Sequence, residues 1–495
     1  MKVSKFKLRC TSFFFLFISF YGFSQTVSGI LKDEKTEKTI PYATVSIGEN
    51  YGVITNDEGE FQINISGFNE SDSLSFSSMG YEKHQIAIKD FNSETVYLKE
   101  SLNELDNVYI IDRDLDPVEI MEKVNERFAE NYEYDFQKFI IFRRSKTYTN
   151  PQDYGFEIKK ADFIPKKTQK AFNKSIDSLS EKSSGAGYTY FNDFLAEVGM
   201  GKDDSVKVNL QKYTRLINTE KENSVEKFQE NIFNLIIEKL QSPHTFKIRT
   251  GIIPIDDSLD LSQDKNEKNE FLVEPDDMRK GYERILASNK LSTESNFEFI
   301  NEIKKYAYKI EDITEFNGEM VYVISFNPDR GSADYQGELY ISAESFAILK
   351  MNYQLMEGET SQNVNLKFLL GFKFYEDEKS GTIIFQKSEQ NKYIPKFIKT
   401  HSRKYTYFNR SFVLKENHPD RKKGFKLKFE ILAENIEVTD NEILFVDTEK
   451  ISQQDFDHFE ESGKVPIEII EKYDPKIWED YNIIAPTQAI KEFEF

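Results

Sequence analysis

Apolar and polar side chains alternate in many separate stretches of this chain, and that period of two constrains its fold more than any other feature. It runs through residues 27–30, 43–47 and 61–65 and returns at 320–326, 337–341 and 347–353, with further candidates at 366–374, 381–386, 393–403 and 425–438. Side chains repeating every two residues line opposite faces of a pleated strand. Where such runs follow one another through short polar turns, an antiparallel sheet is favoured over alternating βαβ units. The expected class is therefore a β-rich α+β fold: an N-terminal antiparallel β-sandwich, a helical middle segment and a large, curved C-terminal antiparallel sheet.

The first residues address the chain. Lys2, Lys5, Lys7 and Arg9 precede an apolar run at 13–21 broken only by Ser19, and Gly22 and Ser24 then supply small residues for cleavage. Residues 1–24 read as a signal peptide, because the run is too short for a comfortable membrane-spanning helix. The single cysteine, Cys10, lies inside this segment. The mature chain would then lack disulfides, a thiol nucleophile and cysteine-ligated metals. Cys10 also precedes the apolar run instead of following it, so an unlipidated mature start is expected. No later run reaches the roughly 18 apolar residues of a spanning helix, so no transmembrane helix is expected after cleavage. The expected location is periplasmic or outer-membrane associated.

A chain of 495 residues should hold roughly two to four domains. The division expected is a sandwich at 25–100, a linker at 101–114, a mixed helical and strand region at 115–295 and an antiparallel sheet domain at 296–495. The 39% hydrophobic and 30% charged shares lean towards disorder, but 43 Phe and 26 Tyr supply the bulk that disordered chains lack. A formal charge of -20 excludes nucleic acid as a natural partner and disfavours direct contact with an anionic membrane. In the middle region Pro117 suits the first turn of a helix, and Ile120, Met121, Val124 and Phe128 follow at helical spacing to about residue 131. Residues 139–144 read as a short strand. Val225, Phe228, Ile232, Phe233, Ile236 and Leu240 make a second amphipathic helix. Residues 490–495 alternate and end on Phe like the last strand of an outer-membrane barrel, but too few long alternating strands precede them for a barrel.

The turn Asn56-Asp57-Glu58-Gly59 separates two of the early strands, and its acidic pair is the residue type that a polar hairpin tip needs. With Val27-Ser28-Gly29-Ile30, Ile40-Pro41-Tyr42-Ala43-Thr44-Val45, residues 52–61 and Ser77-Ser78-Met79-Gly80-Tyr81, it forms an ordered set of motifs. These residues resemble the carboxypeptidase D regulatory-like domain, a prealbumin-like sandwich. The following Leu102-Asn103-Glu104-Leu105-Asp106-Asn107-Val108 looks like the segment after such domains in outer-membrane proteins of Bacteroidetes type. The resemblance covers about 80 residues. It implies an accessory module without catalysis, of the kind fused to peptidases or to TonB-dependent receptors. The C-terminal region loosely resembles the half-barrel of periplasmic lipoprotein carriers, a likeness that carries no residue roles.

Chemistry is sparse. His458-Phe459-Glu460-Glu461 matches the first part of a zinc carboxypeptidase set, but no histidine follows. His84, His244, His401 and His418 are scattered singly. A weak calcium candidate is Asp256, Ser258, Asp260, Asp264 and Glu267, spaced as in an EF-hand loop, although Leu261 stands where such a loop requires glycine. No nucleophile elbow or phosphate loop is present. The expectation is a noncatalytic envelope protein without cofactor, whose sandwich contacts envelope or outer-membrane proteins and whose C-terminal sheet is a scaffold or binding surface. The alternatives are a periplasmic binder or carrier of an apolar or carbohydrate ligand, and an enzyme of unknown type.

Overall fold

The computed structural model describes residues 26–48, 51–92, 94–101, 116–218, 243–251, 253–260, 272–388, 390–420 and 424–493. The signal peptide at 1–24, the linker at 102–114, the helix at 225–240 and the calcium candidates Asp264 and Glu267 lie outside the described residues.

Seven strands build the sandwich: β1 (Thr26–Asp33), β2 (Thr44–Ile47), β3 (Tyr51–Ile54), β4 (Glu60–Asn64), β5 (Ser73–Ser77), β6 (His84–Ala87) and β7 (Thr95–Leu98). They form two sheets, ordered β4-β1-β7 and β3-β2-β5-β6. Alternation decides which side chains face inward: Val45 and Ile47 on β2, and Phe61 and Ile63 on β4, are buried. At the turn before β4, the Asn56 side-chain carbonyl accepts from the amides of Glu58 and Glu60, and Gly59 adopts φ +74°. A Cβ there would stand 2.9 Å from the Leu31 carbonyl oxygen, so glycine is required. The expected antiparallel pairing has one exception, because β1 and β7 run parallel.

The helix expected from Pro117 is present as α1 (Pro117–Glu126) and a second turn, α2 (Phe128–Asn131). Asp116 caps it, its carboxylate accepting from the Val118 amide at 2.8 Å. The middle region then mixes long strands with helices. It supplies β8 (Gln137–Ala161), helix α3 (Lys166–Ser183), β9 (Tyr188–Met200), β10 (Val206–Ile217), β11 (Phe246–Thr250), β12 (Ile253–Leu259), the short β13 (Leu272–Val273) and helix α4 (Pro275–Asn289). Helix α5 (Glu298–Asn301) leads into β14 (Tyr306–Phe316), β15 (Glu319–Pro328), β16 (Tyr335–Ser342) and β17 (Ile348–Leu355). After β18 (Gln362–Leu366), the turn α6 (Lys367–Leu370) and β19 (Phe372–Lys387) come the longest elements, β20 (Tyr393–Glu416) and β21 (Lys426–Lys450). Helix α7 (Gln453–Asp457), β22 (Val465–Pro466), β23 (Glu468–Ile470) and helix α8 (Gln488–Lys491) finish the chain.

One 14-stranded sheet carries the order β14-β15-β16-β17-β19-β20-β21-β8-β9-β10-β23, with β11, β12 and β18 attached at its side. Strands before and after residue 296 therefore hydrogen-bond into a single sheet. It is antiparallel except that β23 lies parallel to β10. The strand expected at 366–374 is interrupted by α6, since Gly371 turns the chain at φ +60°. The terminal residues 488–491 are a helical turn, not a closing strand.

The two faces of the sheet have different cover. On one, Ile120, Met121 and Phe128 of α1–α2, Tyr282 and Leu286 of α4, and Phe299 of α5 pack against Phe139, Ile324, Phe385 and Phe445. Phe299 stacks on Phe326 with centroids 4.3 Å apart. This face is filled. On the other, Phe142, Ile384, Phe397, Leu444 and Val446 share one apolar cluster with the sandwich core. The segment after β23 is laced between the two bodies: Trp478 packs edge-on to Phe142, Asn56 donates to the Ala485 carbonyl, and the Asn482 side chain accepts from the Asn64 amide.

Candidate functional site

On β20, residues two apart share a face, so Phe397, Lys399, His401 and Arg403 form one line on the side of the sandwich. Phe397 stacks on Tyr42 with centroids 5.4 Å apart. The next residues meet opposite charges on neighbouring strands. Register places Arg144 of β8 between Asp193 of β9 and Glu442 of β21, and Glu442 in turn opposite Lys399. One row further on, Asp440 stands between Lys146 and His401. Alternating signs across adjacent strands are the favourable arrangement for cross-strand pairs.

The geometry is tight. Arg144 forks onto Asp193 at 2.9 and 2.7 Å and reaches the Ile484 carbonyl at 3.0 Å. Lys399 reaches across to the sandwich, donating to Asp57 at 2.6 Å and to the Tyr42 hydroxyl at 2.8 Å, with Glu442 3.6 Å away. The Tyr42 hydroxyl also donates to Asp57. Tyr42 holds φ +58°, a left-handed conformation that an aromatic residue adopts only under surrounding constraint. His401 lies between two carboxylates, with Nδ1 2.7 Å from Asp440 and Nε2 3.2 Å from Glu378.

These contacts set the protonation states. The hydrogen bond to Asp440, then that to Glu378, raises His401 above the usual imidazole value against partial burial. Burial alone would raise Asp440, but the His401 hydrogen bond and charge outweigh it and hold the carboxyl low. Burial pushes Glu442 up, with Lys399 opposing. Lys396 is buried at the same seam, donating to the Gly52 and Phe445 carbonyls at 3.0 and 2.9 Å, and desolvation lowers it to about 8.

Beside this network opens a cleft of about 490 Å³ bounded by Tyr42, Ser325, Asn352, Thr382, Lys399 and His401. A neighbouring hollow of about 810 Å³ shares Gln336, Gln354, Ser380 and His401 with it, making one polar groove along β16, β17, β19 and β20. Hydroxyls and amides line it together with the carboxylates of Glu338, Asp377 and Glu378 and the ammonium groups of Lys373, Lys379 and Lys399, so it can exchange hydrogen bonds with a hydrophilic ligand.

Apart from His401 and Asp57, the residues singled out from sequence lie elsewhere. Asp256 and Ser258 stand on β12, where Asp256 accepts from the Ser258 amide at 2.7 Å. Being two apart on an extended strand, they cannot wrap an ion as a loop does. Asp260 follows that strand. His458 Nδ1 bonds the Gln454 carbonyl at the end of α7, and Glu461 accepts from the Val208 amide, so the zinc-like pair is divided. His244 and His418, far apart in sequence, meet edge to face at 5.0 Å. Asp57 and Glu58 are contacts within the chain, Asp57 to Lys399 and Glu58 to the Gln488 amide. Among the described residues no group of three His, Cys, Asp or Glu is arranged to hold a metal ion. At His401 the two carboxylates flank opposite ring nitrogens and do not converge on one point.

Sequence reasoning noted His401 only as a scattered histidine and passed over Lys399, Asp440 and Glu442. A signal existed: residues 390–415 contain no Asp or Glu, whereas residues 430–449 are rich in both. Two adjacent strands of opposite charge are natural partners.

No curated protein matches this chain. Three solved structures show a limited likeness. A LolA superfamily protein from Nitrosomonas europaea has 10% identity and a TM-score of 0.17, covering 69% of this chain and 97% of that one. A DUF1329 family protein from Desulfovibrio piger has 10% identity and a TM-score of 0.18, with 70% and 98% covered. A Bacteroides fragilis protein described as membrane-associated and of unknown function has 8% identity and a TM-score of 0.13, with 84% and 97% covered. Scores that low assign neither a fold nor a ligand here. The sandwich is different: residues 27–110 match the CarboxypepD_reg-like domain model, and the chain carries a carboxypeptidase-regulatory-like domain whose one side is packed on its own large sheet.

Proposed function

We propose that this is an exported, noncatalytic cell-envelope protein in which the regulatory-like sandwich and the large sheet together form a scaffold that presents a polar groove to a hydrophilic, carbohydrate-class ligand. The observation that carries the reading is the contrast between the faces of the sheet. The helix-covered face is filled by aromatic and aliphatic side chains, which argues against an apolar cargo held there. The opposite face is open beside the sandwich and lined by hydroxyls, amides and charged side chains of both signs.

The noncatalytic part is supported by how the ionisable groups are occupied. Both nitrogens of His401 face carboxylates, so neither is free to take a substrate proton, and Lys399 is spent on Asp57 and Tyr42. The sandwich would use part of its surface for contact within the chain and keep the remainder for envelope partners.

The test is calorimetric titration of the mature chain with maltooligosaccharides, chitooligosaccharides and soluble peptidoglycan fragments. Heat is expected with at least one, and Ser380→Trp, which fills the groove, should abolish it without lowering the melting temperature. A chain that binds none of them, or a variant that binds unchanged, refutes the reading. Export is checked by the mass of the native chain in the envelope fraction, which should begin after Ser24.

A further inference from the structure

At the turn α6, between β18 and β19, large apolar side chains stand in solvent: Phe368 is 99% exposed and Leu369 74%. The neighbouring hairpin β11–β12 does the same, with Ile253 44% and Ile255 54% exposed. These two tips lie end to end on one edge of β20. Strand β19 pairs with it as far as Phe408, and β11 takes over from Phe412. Arg410 fills the interval, its Nε donating to the Thr250 hydroxyl at 2.7 Å. The turn is held close, since the Asn409 amide donates to the Gly371 carbonyl at 2.7 Å and a Cβ on Gly371 would overlap the Asn409 oxygen.

The segments that carry the tips are locally free of acidic residues, although Asp256 and Asp257 follow Ile255 and Glu430 and Glu434 of β21 lie opposite Ser411 and Tyr407. The chain has 85 acidic residues, yet residues 243–255, 360–375 and 390–415 contain none. Lys367 lies over the Tyr407 ring at 3.8 Å, and Lys373 lies over Tyr375 at 4.8 Å and Tyr405 at 5.6 Å. The apolar points are thus set above a collar of cations and tyrosines.

We propose that this end of the sheet docks on a lipid surface, with Phe368, Leu369, Ile253 and Ile255 entering the interfacial layer and Lys367, Lys373 and Arg410 meeting anionic headgroups. Two separate exposed tips suit a deformable bilayer better than a protein, which needs a continuous complementary face. Tyrosine rings and long cationic side chains below an apolar tip match the depth profile of a membrane interface. The net charge of -20 does not oppose this locally, because charges more than about 8 Å apart in solvent are largely screened at physiological salt. It would instead orient the molecule with its acidic surface away from the lipid. The biological setting rests on the envelope location proposed above, but the docking itself does not depend on the groove. From the row of His401 to that of Phe408 is seven residues along β20, roughly 23 Å.

The test is co-sedimentation of the mature chain with vesicles of phosphatidylcholine mixed with phosphatidylglycerol, and with phosphatidylcholine alone. The wild type should bind the mixed vesicles more tightly than the neutral ones. Phe368→Ser combined with Leu369→Ser should weaken binding at least about tenfold, and Lys367→Glu with Lys373→Glu should remove the preference for anionic lipid. All four side chains lie at the tip or its collar, so unchanged melting temperatures verify folding. Absence of binding by the wild type, equal binding to both vesicles, or an apolar double variant that binds undiminished overturns the proposal. So does a concentration-dependent dimer that the same double variant abolishes, which would assign the tip to a second copy. Glycan titration of the Phe368→Ser, Leu369→Ser variant separates this outcome from failure of the groove.

Discussion

Replacing Lys396 by methionine should change stability in a way that depends on pH, because its ammonium group is buried at the seam between sandwich and sheet. The residue is 2% exposed and its Nζ donates to one carbonyl from each side. Desolvation lowers the folded-state value from 10.5 to about 8, against a smaller opposing effect of Asp447. At about 1.4 kcal/mol per pH unit, that difference corresponds to about 3 kcal/mol. Because the folded value lies below the unfolded one, the unfolded chain binds more protons between about pH 8 and pH 10.5. Stability from this group therefore rises with pH across that window, and below about pH 8 the full penalty is present. Lys396→Met keeps the length of the side chain and removes the titration. Urea unfolding of both proteins at intervals from pH 7 to pH 10.5 should show the wild type gaining about 3 kcal/mol on the variant as the pH rises. Taking the difference cancels the other titrating groups. A difference that stays flat, or that falls with pH, would refute the assignment of a buried, desolvated ammonium to this seam.

Further outcomes follow from the same network. Arg144→Met should cost about 3–5 kcal/mol because it leaves Asp193 buried and unpaired, and Asp193→Leu added to it should recover most of the loss in chemical denaturation. The His401 imidazole should titrate above 6.5 by NMR and move back towards 6.5 in Asp440→Asn. Its stabilisation is accordingly full below the unfolded value and lost as pH rises through the folded one. Gly59→Ala should destabilise by about 1–3 kcal/mol, since it combines a left-handed backbone with a close approach to the Leu31 carbonyl, and thermal melts will register it.

What the sequence disclosed follows from the range of the interactions involved. The sandwich motifs were legible because turn chemistry and alternation are local, as at Asn56–Gly59. The helix from Pro117 was legible for the same reason, with its cap, its Pro and its apolar stripe all within about three turns. Strand β8, expected over the six residues 139–144, has 25, because the polar residues beyond the apolar run still pair with β21 and Pro151 does not end the pairing. Its missing N–H falls where the register shifts opposite Glu434 and Asn435, so the ladder continues past it. The sequence at 490–495 alternates like a strand, yet Gln488–Lys491 are a helical turn, with Ile490 buried and Phe493 packed edge-on to Phe191. The groove was hidden for another reason. Tyr42, Glu378, His401 and Asp440 are ordinary where they stand in the sequence, and only the pairing of β19, β20 and β21 under the sandwich brings them together.

Sandwich and sheet form one body, joined by the Lys399–Asp57 contact, the Tyr42–Phe397 stack and the laced C-terminal segment. Differential scanning calorimetry of the mature chain tests this most directly. A single transition with equal calorimetric and van't Hoff enthalpies is expected. Two transitions, the smaller having the enthalpy of a domain of about 75 residues, would show that the sandwich melts alone and would contradict the account.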